Sequence, residues 1–279
     1  MPTFCERSND ITAAGQDRVL RFAGVVKREL DRSGARVALV ARAGLDLSRF
    51  GILYSHAGIA LKDSKDESWA VRQLYYACDE SRPRIFDQGV AGFTLGAEAP
   101  SNGHVSLVFL PDEAGAQLER AVADKRLALA LLSGKYSANA YAFGTRYQNC
   151  NQWVAELIAS AWGGVDADSG AVREQAQAWL RMQGYTAGPV KVPSHWIMFA
   201  GQFVPLIHVV DHPVDDLHAL SLQVSVPLSI EAFVRRHAPR AQRVELCHDK
   251  GRVVVRRGWE QIGVECKPLP GDEVIAIAP

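Results

Sequence analysis

One stretch of the chain puts a nucleophile where a protein can activate it. Arg146-Tyr-Gln-Asn-Cys150-Asn-Gln-Trp-Val-Ala-Glu156 sets a cysteine at the point where a turn becomes a helix. Apolar residues at Trp153, Val154, Leu157, Ile158 and Ala161 recur at helical spacing, and Gly163 with Gly164 supplies the stop, so Cys150 belongs to the first turn. Helix-terminal N–H groups and the positive end of the dipole favour a thiolate there, against a free thiol pKa of about 8.5. The base is expected far upstream, in Tyr54-Ser-His56-Ala-Gly-Ile-Ala-Leu61, where His56 sits in a predicted strand. Ala57 and Gly58 beside it leave room for a helix end, and a base need only be near in space. The next predicted strand, Trp69 to Tyr76, follows a charged turn from Lys62 to Glu67, so the two form a hairpin that can set Gln73 beside His56. An amide accepting from one ring nitrogen leaves the other for the thiol, which completes a Cys-His-polar triad. Tyr147, Gln148, Asn149 and Trp153 are the candidate substrate-binding residues, and the backbone N–H of Cys150 is the expected oxyanion donor.

The order of these motifs carries a resemblance. His-x-Gly in a strand, followed much later by Asn-Cys at a helix start, resembles the circularly permuted branch of the NlpC-type papain-like superfamily. The lecithin:retinol acyltransferase-like enzymes of that branch carry a similar His-x-Gly and an Asn-Cys-x-x-Phe/Trp run, matched here by His56, Gly58, Asn149, Cys150 and Trp153. That likeness covers roughly residues 36 to 163. More of the chain, from the first helix to the C-terminal segment, resembles a bacterial domain of unknown function, number 2145, which places Tyr-Gln-Asn-x-Asn-Gln-Trp after a His-x-Gly strand. The first resemblance implies an α+β papain-like core, an antiparallel sheet packed on helices, and thiol chemistry on peptide amides, cell-wall peptides included, or on acyl esters. Gln73 stands where many papain-like relatives have histidine.

Each residue also has a plainer reading. Cys150 can be a small buried hydrophobe at a helix start. His56 can be a satisfied core histidine, and Gln73 a surface amide on a half-exposed strand. Four histidines, His195, His208, His212 and His218, fall close together, and His208 with His212 has the i,i+4 spacing of a zinc pair. Pro213 and the β-branched run from Ile207 to Val210 argue against the helix that pair needs, and no acidic base stands between the two histidines. No metal or cofactor is expected.

Composition sets further bounds. The chain has 279 residues, 48% hydrophobic and 22% charged, with equal acidic and basic counts. It lacks the basic footprint of a nucleic-acid or anionic-membrane binder. No apolar run reaches the roughly 20 residues of a transmembrane helix, and the stretch Trp196 to Val210 is broken by Gln202, Pro205 and His208. The first residues read neither as a basic n-region nor as an apolar h-region. Two histories fit: a removed signal peptide and a periplasmic or exported protein, or a chain that stays in the cytoplasm. Five cysteines make one odd after two pairs, which suits a catalytic Cys150 among Cys5, Cys78, Cys247 and Cys266. Cys247 and Cys266 flank a predicted hairpin; bridged, they imply an oxidising compartment, and reduced, they are core residues.

The elements that must position the thiol are readable in outline. An amphipathic helix from about Thr12 to Ser33, ended by Gly34, carries Val19, Phe22, Ala23, Val26 and Leu30 on one face. Strands follow at Arg36 to Ala41, around His56, at Trp69 to Tyr76 and at His104 to Leu110, with a bend expected at Ile85 to Gly92. Helices at about Glu113 to Ala123 and Asp124 to Leu132 lead through a polar, aromatic loop, Lys135 to Gln148, into the Cys150 helix. Residues 1–164 are expected to form the core. Residues 165–279 are expected to form an appended α+β subdomain, with a helix at Val172 to Met182, another after Ser229, and a hairpin joining Arg243–Cys247 to Arg252–Arg256. The expected function is a cysteine amidase or peptidase acting through a thioester, with an idle papain-like binding module or a lipid acyltransferase or esterase as alternatives.

Overall fold

The computed structural model of the chain describes residues 12–44, 47–95, 103–249 and 251–277. Helix α1 (Ala13–Arg32) begins where the Thr12 side chain accepts from the N–H of Gly15, and Gly34 follows it with a left-handed φ of +67°. Such a cap stabilises a helix by about 1 kcal/mol. Val19, Phe22, Ala23, Val26 and Leu30 are all buried, so the expected stripe is the packed one.

The strands are β1 (Val37–Arg42), β2 (His56–Lys62), β3 (Trp69–Ala77), β4 (Arg82–Gly89) and β5 (His104–Phe109), with helix α2 (Val90–Leu95) between the last two. Later come β8 (Gln242–Asp249), β9 (Arg252–Arg257) and β10 (Glu273–Ala276). They form one eight-stranded sheet in the order β10-β9-β8-β5-β1-β2-β3-β4. The β1–β2, β1–β5, β2–β3, β5–β8, β8–β9 and β9–β10 pairs are antiparallel. β1 lies inside the sheet, and all six of its residues are buried. Its alternate residues Ala38 and Val40 join Ala60, Val71, Leu107, Leu246 and Val253 in a core with Phe22 and Leu30 of α1 and Phe93 of α2. Each such large side chain contributes roughly 1.5–3 kcal/mol by leaving water.

One expectation is corrected here. The stretch Ile85 to Gly92, read as a bend from its glycines, is the end of edge strand β4 running straight into α2. Neither Gly89 nor Gly92 has a positive φ, so these glycines mark no turn. The expected C-terminal hairpin joins the sheet: β8 pairs with β5, Leu246 opposite Val105, past an edge that the sequence leaves open.

The described chain forms two compact units. One takes the described residues within 10–72, 87–119 and 234–279; the other takes chiefly 73–86 and 120–233. The second unit is mainly helical. It contains most of α9 (Pro227–His237) and all of α4 (Lys125–Ala130), α5 (Cys150–Gly163), α6 (Val172–Met182), α7 (His195–Gly201) and α8 (Val214–His218). Strands β6 (Gly188–Lys191) and β7 (Ser221–Val224) pair with each other in it, and helix α3 (Asp112–Ala123) runs from one set of residues into the other. α5 is buried at every position from Cys150 to Ser160, which its near-continuous apolar run requires. It ends at Gly164 (φ +65°), and a Cβ on Gly163 would come within 2.7 Å of the Trp179 ring of α6.

Candidate active site

Cys150 is the first residue of α5, as its sequence context predicts. Asn149 is the N-cap, its side-chain oxygen accepting from the N–H of Gln152 at 2.7 Å. The sulfur therefore sits at the positive end of a fourteen-residue helix. It is buried, with 7% of its surface exposed, and its thiol donates to Asn151 Oδ1 at 3.6 Å.

A tyrosine absent from the sequence-derived site meets the thiol. The segment Lys135–Ser137 runs alongside Gln148: the N–H of Gln148 donates to Lys135 O at 3.1 Å, and the N–H of Ser137 donates to Gln148 O at 3.2 Å. This brings the Tyr136 hydroxyl into a hydrogen bond with Cys150. Burial, then the negative charge and the hydrogen bond of Cys150, push the Tyr136 hydroxyl well above its ordinary pKa, so it stays a protonated donor. The Tyr136 ring packs on Tyr76 of β3 at 5.4 Å.

The other polar residues of the motif turn inward. Gln148 donates to Leu131 O and to the Glu156 carboxylate, and accepts from the N–H of Ser133. Asn149 Nδ2 donates to Ala138 O, Gln152 Nε2 to the carbonyls of Tyr141, Ala142 and Gly144, and Trp153 Nε1 to Ala128 O. These bonds tie the 131–148 loop to α5. Gln148, Asn149 and Trp153, expected to touch substrate, are at most 1% exposed, while Tyr147 stays half-buried with its ring stacked on His208 at 4.5 Å.

One helical turn and a half further on, Glu156 is wholly buried. Arg173 of α6 grips it through two bonds of 2.9 and 3.0 Å, and Gln177 adds a third at 2.7 Å. Burial pushes the Glu156 carboxyl up, while Arg173 and the two amides pull it back down. The same guanidinium donates to the carbonyls of Gly144, Thr145 and Tyr147. A lone acid in an apolar helical run demands a buried cation, and that signal was present in the sequence at Glu156.

His56 opens β2 in the sheet-bearing unit, opposite Arg42 of β1, with its ring 6.0 Å from Phe93. The Arg42 guanidinium lies 5.4 Å over the same Phe93 ring. Gln73 is buried in β3, in the residues grouped with Cys150, and by strand alternation it points to the face opposite Tyr76. Of the four histidines close in sequence, His212 has its Nε2 2.8 Å from Asn139 O, His208 stacks as above, and His195 and His218 are exposed. Among the described residues, no three His, Cys, Asp or Glu side chains are placed to hold a metal ion.

Cysteine pairing sets Cys150 apart. Cys247 is bridged to Cys266, and Cys78 is disulfide-bonded as well; Cys5 lies outside the described residues. Among the described cysteines, Cys150 is the one that remains a thiol. No helix among the described residues is long and apolar enough to cross a membrane.

Fold and site together define an α+β protein with a large antiparallel sheet and a buried helix that begins at a thiol. The chain belongs to a family of uncharacterized proteins conserved in bacteria (DUF2145), whose profile matches residues 29–234. The match begins late in α1 and stops within α9, short of the β8–β10 strands that the sequence resemblance included. No curated protein and no solved structure matches the chain.

Proposed function

We propose that the protein is a cysteine hydrolase of permuted NlpC-type papain-like kind, with Cys150 as nucleophile. The observation that carries this reading is a thiol at the first position of a buried helix, kept out of the disulfides and bonded to a tyrosine hydroxyl. His56 is the base, assigned from the order of the two motifs. It takes the thiol proton, the thiolate attacks an amide or ester carbonyl, and the protonated imidazole returns the proton to the leaving group. Water then releases the acyl group from the thioester. The N–H of Cys150 stabilises the oxyanion, Gln73 is retained as the orienting residue for His56, and Tyr147 is the substrate contact. Gln148, Asn149 and Trp153 serve by holding the loop that carries Tyr136. Peptide amides, including cell-wall peptides, are the first substrate class and acyl esters the second. The disulfides support an exported or periplasmic protein, since such bonds persist in oxidising compartments.

Cys150→Ala tests this directly: it should fold with the parent's melting curve and lose turnover on any peptide or ester substrate found by screening. Turnover that survives the substitution places the chemistry elsewhere. A second reading, an idle binding module of the same fold, is favoured by the burial of Cys150 and the inward Gln148, Asn149 and Trp153. Slow alkylation of Cys150, like that of an ordinary buried thiol, would select it.

A further inference from the structure

The segment after β6 breaks the usual rule for apolar helices. From Val192 to Val210 the sequence holds no Asp, Glu, Lys or Arg. α7, with sequence His-Trp-Ile-Met-Phe-Ala-Gly, nevertheless has no buried residue. A helix this apolar is normally covered on every side. Here Trp196 and Phe203 are each 74% exposed, Phe199 is 50% exposed, and Ile197 and Val204 add to them. The three aromatic rings form a ridge, Trp196 to Phe199 at 5.8 Å and Phe199 to Phe203 at 5.3 Å.

The base of the ridge is held firmly. Ser194 caps α7 by accepting from the N–H of Ile197. Further along, the N–H of Ala138 donates to Leu206 O at 2.8 Å, and Asn139 exchanges bonds with the backbone of His208. The exposed side chains are therefore presented on an anchored element, which lowers the cost of ordering them on insertion.

We propose that this ridge inserts into the interfacial layer of a lipid membrane, attaching the protein to a bilayer surface without spanning it. Size and charge favour lipid over a protein partner. A helix of seven residues is about 10 Å long, short for a stable protein interface, which takes about 20–30 residues a side. A few aromatic side chains sunk about 5–10 Å into the headgroup boundary suffice for interfacial binding, and Trp is enriched at that depth. The lack of charge across the segment gives a protein partner no rim of ion pairs to fix register, whereas it suits an acyl boundary. This attachment does not depend on the chemistry assigned to Cys150.

Flotation of the full chain with vesicles of phosphatidylethanolamine and phosphatidylglycerol tests it. The expected result is a bound fraction that persists in high salt and falls at least about tenfold in the triple variant Trp196→Ser, Phe199→Ser, Phe203→Ser. These side chains are exposed, so the variant should keep the parent's circular dichroism and melting curve, and Trp196→Phe should retain most of the binding. An absence of flotation, or equal flotation of the triple variant, overturns the proposal. Lipid-free self-association that the triple variant abolishes also overturns it, assigning the ridge to a second copy of the chain. Cys150 alkylation should be the same in parent and variant, which keeps this test separate from that of the thiol.

Discussion

Cys150 could be found from sequence because helix starts announce themselves locally: a cap residue, an apolar run, a glycine stop. Asn149 does cap α5, and Asn149→Ala should cost about 1 kcal/mol or more of stability in urea unfolding, since it also removes the bond to Ala138. Tyr136 was hidden for the opposite reason. Its place at the thiol comes from pairing between residues 135–137 and 148, a contact that no periodicity records. In the proposed mechanism the hydroxyl would stabilise a Cys150 thiolate by a hydrogen bond to a charged group, worth about 1.5–3 kcal/mol. Tyr136→Phe should accordingly shift the pH midpoint of Cys150 alkylation upward by about one to two units. An unmoved midpoint would remove Tyr136 from the site.

At the scale of elements, the loop that presents the thiol is held between α5 and α6. Arg173 neutralises Glu156 and binds three loop carbonyls at once. Arg173→Met strands a buried carboxylate and should cost about 3–5 kcal/mol, read as a lowered urea midpoint. Helix α6 itself was legible to the residue, Val172 to Met182, because its apolar positions keep a helical period and Gly184 stops it. β4 was not, because an edge strand with the sequence Arg-Pro-Arg-Ile-Phe-Asp-Gln-Gly need not alternate cleanly. The clasp of Gln148, Gln152 and Arg173 was also missed. Burial of polar side chains leaves no periodicity in the sequence from which such a clasp could be read.

For the whole molecule, two features should govern stability. The Cys247–Cys266 bridge closes a loop of 19 residues and should contribute about 3 kcal/mol, lost in the Cys247→Ser, Cys266→Ser double variant or on reduction. His248 is buried, and that burial, with His104 and Arg18 nearby, lowers its pKa from 6.5 to about 4. The unfolded chain then binds the proton more readily, so stability is intact above pH 6.5 and declines as pH falls toward 4. The loss should reach about 2–3 kcal/mol near pH 4.5 and shrink in His248→Gln, measured by denaturant unfolding at several pH values. The joining of β8 to β5 was beyond sequence reading, since either hairpin could have closed on itself or on another edge.

Activation of the thiol is tested most directly by the pH dependence of Cys150 alkylation, followed by intact mass in the folded native chain and in His56→Ala. Rapid modification below pH 7 that slows in His56→Ala, its profile moving to higher pH, is the expected result. Slow modification with the same profile in both proteins would contradict an ion pair between Cys150 and His56 and leave the fold as a binding module.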